Sequence, residues 1–175
     1  MPFNLLKKYP DLLEVNHLTP KEREKSLRRV FDRDISNNSN FRFREKKIHP
    51  TKQDGRDPLD ILFSHLTTDV EKTDDGKKTG RRSYDEHRSV RLHWVRFHIE
   101  ESVPEHLEIF SFKDRVNRTD KIRTYILDNE EKYVIILEPL RSGDAYYLLT
   151  AYYLNRSYGL KQMRKKYLKR LDGLH

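Results

Sequence analysis

The chemistry this sequence can offer is concentrated in Arg91–Glu100 (RLHWVRFHIE) and the residues just before it. At about 100° per residue, His87, Arg91, Trp94 and His98 fall within about 60° of one another on a helix. That stripe lies inside an apolar arc flanked by Val90, Val95 and Phe97, while Ser89, His93, Arg96 and Glu100 take the opposite, more polar side. Burying an arginine without a partner is costly, so the stripe either opens into a cleft or meets a carboxylate that pairs with Arg91. Histidine is suited to moving protons near neutral pH, and arginine offers phosphate a fixed fork of donors. Together they suffice for metal-independent RNA cleavage. One group takes the 2′-hydroxyl proton, another protonates the leaving 5′-oxygen, and a cation stabilises the charge on phosphorus. In that reading His98 is the proton-transfer group and Arg91 the phosphate ligand, because the two lie about 20° apart around the helix. His93, about 160° away, reaches such a site only if substrate crosses the outer face, and His87 is a substrate contact. The plain alternative is a structural His–Arg–carboxylate contact.

A second constellation is the strand-like run Tyr146–Tyr153 (YYLLTAYY). A period of two puts Tyr146, Leu148, Thr150 and Tyr152 on one face and Tyr147, Leu149, Ala151 and Tyr153 on the other. Thr150 can hydrogen-bond a phosphate oxygen and Tyr152 can stack on a base, although threonine and tyrosine also simply favour strands. Arg123 and Tyr125 share a face of an earlier strand and are further substrate-binding candidates. Lys165 and Lys169, on a Lys/Arg-rich C-terminal helix, are the leading phosphate contacts outside the sheet. There is no HExxH, no His pair at i, i+4, no GxGxxG, no P-loop and no GxSxG. A metal or other cofactor is therefore not expected, and kinase, dehydrogenase and serine-hydrolase chemistry drop out. With no cysteine there is no thiol nucleophile and no disulfide framework.

The elements that must position these residues are legible from caps and periodicity. Thr19-Pro20 and Asp57-Pro58 each read as an N-cap followed by proline at the first helical position, opening helices to about Phe31 and Leu66. Leu27, Val30 and Phe31 form the first helix's apolar stripe. Phe41–His49 reads as a short exposed strand or extended arm. Thr67–Arg82 has one apolar residue and a DDG turn, and reads as a linker. Ser83 and Glu86 fit a capping box for a helix running to about Ser102. Strands are expected at Leu107–Phe112, Lys121–Asp128, Lys132–Glu138 and Ala145–Leu154, the last three as an antiparallel meander. A helix over Asn155–Asp172 closes the chain. The fold class is α+β: a helix packed on a small antiparallel sheet of about four strands, with a basic C-terminal helix. The expected organisation is a mostly helical N-terminal extension (1–66), a polar linker (67–82) and a domain over 83–175.

Charged residues are 37% of the 175 and hydrophobic ones 35%, yet Trp94 and most of the isoleucine, leucine and tyrosine fall after Val90, so a core is available there. The formal net charge of +8 suits a polyanionic partner. No run approaches the roughly 18 apolar residues of a spanning helix and no secretory signal is evident, so a membrane is not expected and the cytoplasm is.

The block RLHWVRFHIEE, the run from Arg123 to Leu154 with its Thr150-Ala151-Tyr152, and the basic helix after it resemble phage-associated members of the barnase–EndoU–colicin–RelE nuclease superfamily. The resemblance covers about Ser83–Leu171. It implies a metal-independent endoribonuclease of toxin type, restrained by an antitoxin or immunity protein, in which either histidine of the block is the acid/base. The alternative is a non-catalytic RNA- or protein-binding module on the same scaffold.

Overall fold

Both proline-marked start signals open helices. In the computed structural model, which describes residues 3–52 and 55–175, α1 spans Pro20–Phe31 and α2 spans Pro58–Thr67. Thr19 accepts the Glu22 N–H and the Glu22 carboxylate accepts that of Thr19, a reciprocal capping box. Asp57 accepts the Leu59 N–H at 2.8 Å. Thr19→Ala should therefore lower stability by about 1 kcal/mol in urea unfolding. An unchanged midpoint would mean that packing alone holds α1.

Six strands form one mixed sheet and two more form a hairpin. In chain order they are β1 (Arg42–Phe43), β2 (Lys46–Pro50), β3 (Thr68–Lys72), β4 (Lys78–Tyr84), β5 (Leu107–Val116), β6 (Thr119–Asp128), β7 (Tyr133–Pro139) and β8 (Ala145–Tyr153). The fold is α+β, but the sheet is larger than the expected four strands. β5 to β8 form an antiparallel meander, and β2 from the N-terminal half adds to β8 in parallel, with β1 outside it. Phe43 and Ile48 are buried, so the expected exposed arm is an integral edge of the sheet.

Three further expectations need correction. The expected linker is the β3–β4 hairpin, with Gly76 at φ 83 in its DDG turn. Its side chains face mostly water, so it lacks the apolar alternation that marks a half-buried strand. No domain boundary falls there, because Leu27, Phe31, Leu62 and Leu66 share one core with Trp94, Tyr133, Ile135 and Leu148. The single helix expected over Ser83–Ser102 is two short ones, α3 (Glu86–Ser89) and α4 (Trp94–Ile99). Asp85, not Ser83, caps α3 by accepting the Arg88 N–H at 2.8 Å. Between them the backbone tightens to i→i+3 bonds, among them Leu92 N–H to Ser89 and Trp94 N–H to Arg91. Tighter winding breaks the phase of a 100° repeat. The C-terminal helix α5 is shorter than expected, spanning Gly159–Leu168.

α1, α2, α3 and α4 cover one face of the sheet and α5 the other. The α5 side has its own core of Phe110, Tyr125, Leu127, Val134, Ile136, Leu154 and Met163. A Cβ at Gly159 would stand 3.2 Å from that of Leu154, so glycine lets α5 start tight against the end of β8. Among the described residues, no helix is long and apolar enough to cross a membrane.

Candidate nucleic-acid cleft

The helical stripe divides between core and surface. His98 is 1% exposed. Its Nδ1 donates to the Trp94 carbonyl and its Nε2 to the Asp128 carboxylate, each at 2.8 Å. Both ring nitrogens are therefore committed to the fold. Asp128, itself buried, also accepts the N–H groups of Glu130 and Glu131 and the Tyr9 hydroxyl. Burial alone would raise the Asp128 carboxyl, but the hydrogen bonds from His98 and Glu131 hold it below the ordinary range. His98 is thus a sealed structural group and not the proton-transfer group expected from the stripe.

His93 fails for a different reason. The N-terminal segment lies over the side expected to be exposed, and Nε2 of His93 donates to the Asp11 carbonyl at 2.8 Å. Burial lowers its pKa to about 4, so the ring is neutral. Among the described residues Arg91 finds neither a cleft nor a carboxylate: its guanidinium lies 4.0 Å from the Tyr153 ring centroid and 5.2 Å from that of Trp94, and it donates to the His87 carbonyl. It acts as a cation–π prop under Tyr153, not as a phosphate ligand beside Thr150.

Thr150 sits at a β-bulge. Leu148 pairs with Leu137 and Thr150 with Ile136, leaving Leu149 as the extra residue. The bulge breaks the strict alternation of β8: Tyr146, Leu148 and Ala151 belong to the larger core, Leu149 and Tyr152 to the α5 side. His65 on α2 donates from Nδ1 to the Leu149 carbonyl at 3.2 Å. Thr150 Oγ accepts from Arg88 Nη1 at 3.0 Å, so Thr150 does meet an arginine, but Arg88 and not Arg91. The same Nη1 donates to the His65 carbonyl, and Nη2 donates to Asp69 at 3.2 Å.

Beside Arg88 opens a cleft of about 350 Å³ between the β3–β4 hairpin, α3, the end of β8 and the start of α5. Lys72, Lys78, Arg88 and Arg156 bring four cations to its walls, against the carboxylates of Asp69 and Asp85. Both carboxylates are engaged, Asp69 by Arg88 and Asp85 as the α3 cap. Lys72, Lys78 and Arg156 have no ion pair among the described residues. Tyr152, Tyr153 and Tyr158 supply rings, with Tyr158 49% exposed. The Arg88 guanidinium lies 5.1 Å from the Tyr152 centroid. His87 is exposed on this wall, its ring 5.6 Å from that of Tyr153.

Of the residues singled out from the sequence, His87 and Tyr152 line this cleft. Lys165 is exposed on the α5 face that holds Gln162, given 3.6 residues per turn, and Lys169 is exposed just past the helix end. Tyr125 is fully buried, its hydroxyl bonded to Asp114 and receiving Lys166 Nζ at 2.9 Å, so it is a core group and not a base-stacking one. Arg123 is half-buried on the same α5 side, away from the cleft lining, with Nε unpartnered among the described residues. Sequence reasoning missed His65, Arg88, Arg156 and Tyr158. The one signal for them was the arginine density of Arg81-Arg82 and Arg88 around a hairpin read as linker. Among the described residues no three histidine or carboxylate side chains gather as a metal site would require. Comparison with family models, curated proteins and solved structures finds no match.

Proposed function

We propose that the protein binds single-stranded RNA in the cleft between the β3–β4 hairpin and α5. The observation that supports this is a set of unneutralised cations, Lys72, Lys78 and Arg156, facing the open ring of Tyr158 and the half-open rings of Tyr152 and Tyr153. Single strands are held by such combinations, the backbone by charge and the bases by stacking on aromatic side chains. Affinity for a labelled single-stranded RNA should fall steeply with salt, with a slope of about −0.7 per neutralised phosphate. Lys72→Glu with Lys78→Glu should flatten that slope, and Tyr158→Ala should weaken binding by about 1–3 kcal/mol. Anisotropy titrations that leave affinity and slope unchanged in these variants would end this reading.

Cleavage is a second reading, favoured by the position of His87 in the cleft next to Arg88. Here the imidazole takes the 2′-hydroxyl proton, the 2′-oxygen bonds to phosphorus, the bond from phosphorus to the 5′-oxygen breaks, and that oxygen takes a proton from water. The arrangement needs neither metal nor thiol. A toxin of this type works in the cytoplasm, and its neutralising partner would present carboxylates to the same cations.

A further inference from the structure

The C-terminal end of α2 gathers more positive charge than its fold requires. Arg82 on β4 donates from Nε and Nη2 to the hydroxyl and carbonyl of Thr68, both at 2.9 Å. Arg88 on α3 donates to the His65 carbonyl and to Thr150 from the other side. Each therefore caps carbonyls at the helix end, a placement that the helix dipole favours. The dipole supplies about half an elementary negative charge and Asp69 one more, against Arg82, Arg88 and the neighbouring Arg56. Asp69 is also half-exposed, whereas the Arg88 side chain is only 13% exposed. Asp69 is the partner of Arg88, which leaves Arg82 beside it with no carboxylate partner among the described residues.

We propose that Arg82 and Arg88, set around His65 beside the Thr150 bulge, form a seat for one phosphate group. Nη1 of Arg82 and Nε of Arg88 have no protein partner among the described residues and are available to phosphate oxygens, while Nη1 and Nη2 of Arg88 already serve His65, Thr150 and Asp69. His65 donates from Nδ1 to the bulge carbonyl, which leaves Nε2 as an acceptor in the neutral ring. Burial first, then Arg82, with Arg88 and Arg56 behind it, hold His65 below its ordinary pKa; the Leu149 hydrogen bond opposes them. Phosphate in the seat cancels that arginine field, so His65 reports occupancy directly. Arg88 is shared with the cleft, and the proposal rests on the RNA reading only for what carries the phosphate: an RNA backbone in that case, a small phosphorylated molecule otherwise.

The test is a titration of the full chain with inorganic phosphate at constant ionic strength, following the imidazole nitrogen resonances. His65 should shift saturably while His17 and His106, which lie outside the seat, stay in place. Arg82→Gln should weaken the midpoint about 10- to 100-fold, because a hydrogen bond to a charged group is lost. Arg56→Gln, at an exposed position that caps nothing, should weaken it by a smaller factor and guards against misfolding of the first variant. A His65 signal that does not move, or a midpoint unchanged in both variants, overturns the seat. RNA binding measured in parallel separates the two readings. Phosphate saturation of His65 with no RNA binding keeps the seat and ends the RNA reading, whereas RNA binding with an unmoved His65 ends the seat alone.

Discussion

Asp128→Ala is expected to remove about 3–5 kcal/mol of stability, a large share of the roughly 5–15 kcal/mol that holds a domain together. The carboxylate is fully buried and accepts from His98, Tyr9 and two backbone N–H groups, so its removal strands several donors at once. The imidazole that faced it has the Trp94 carbonyl on its other nitrogen and no route to water. Urea unfolding reads the effect, and a wild-type midpoint would show that the pair does not hold α4 to the sheet. The pH dependence follows from the same group. Asp128 is held below its unfolded pKa, so its contribution is complete above about pH 4, the ordinary carboxylate value, and is lost as pH falls through the lower folded value. Wild type should therefore lose stability in acid more steeply than Asp128→Asn, which has no carboxylate to protonate at that position.

If the protein cleaves RNA, His87→Ala should reduce the rate by about 10²–10⁴-fold, the usual worth of one positioned acid–base group. Its melting should stay within about 0.5 kcal/mol of wild type, as for other surface substitutions, because the His87 ring is exposed and only its backbone carbonyl is used, by Arg91. His98→Ala should do the opposite, destabilising the fold by leaving Asp128 buried without its imidazole partner. Cleavage of a labelled RNA in excess chelator, alongside thermal unfolding of both variants, separates the roles. Full activity in a folded His87→Ala protein would remove His87 from the chemistry, and a folded but inactive His98→Ala protein would restore the role that the stripe suggested.

The stripe misled because helix arithmetic assumes an unbroken helix. His87, Arg91 and His98 share a face only if 100° per residue holds from one to the next, and the turns through Arg91 and Trp94 are wound more tightly. Trp94 was legible, being large, apolar and central to the arc, and it is buried against Tyr133 at 5.4 Å. His93 looked exposed because the segment that covers it lies more than 80 positions earlier in the chain.

Local chemistry determined the caps of α1 and α2, the presence of four strands from Leu107 onward, and the two turns that join the last three of them. Each depends on residues within a few positions, such as Thr19 with Glu22 or Asn129–Lys132 between β6 and β7. The tight turn between β5 and β6 was not read from the sequence. Only the tertiary structure decided that β2 joins β8 in parallel, that an apparent linker pairs into a hairpin forming one wall of a cleft, and that Thr150 meets Arg88 across a bulge. A parallel pairing leaves no turn signal, because its partners are joined by a long crossover. A solvent-facing hairpin shows no apolar alternation, and a bulge reverses the facing of every residue beyond it. The meeting of His65, Arg82, Arg88 and Thr150 depends on all three, which is why residue spacing carried no trace of it.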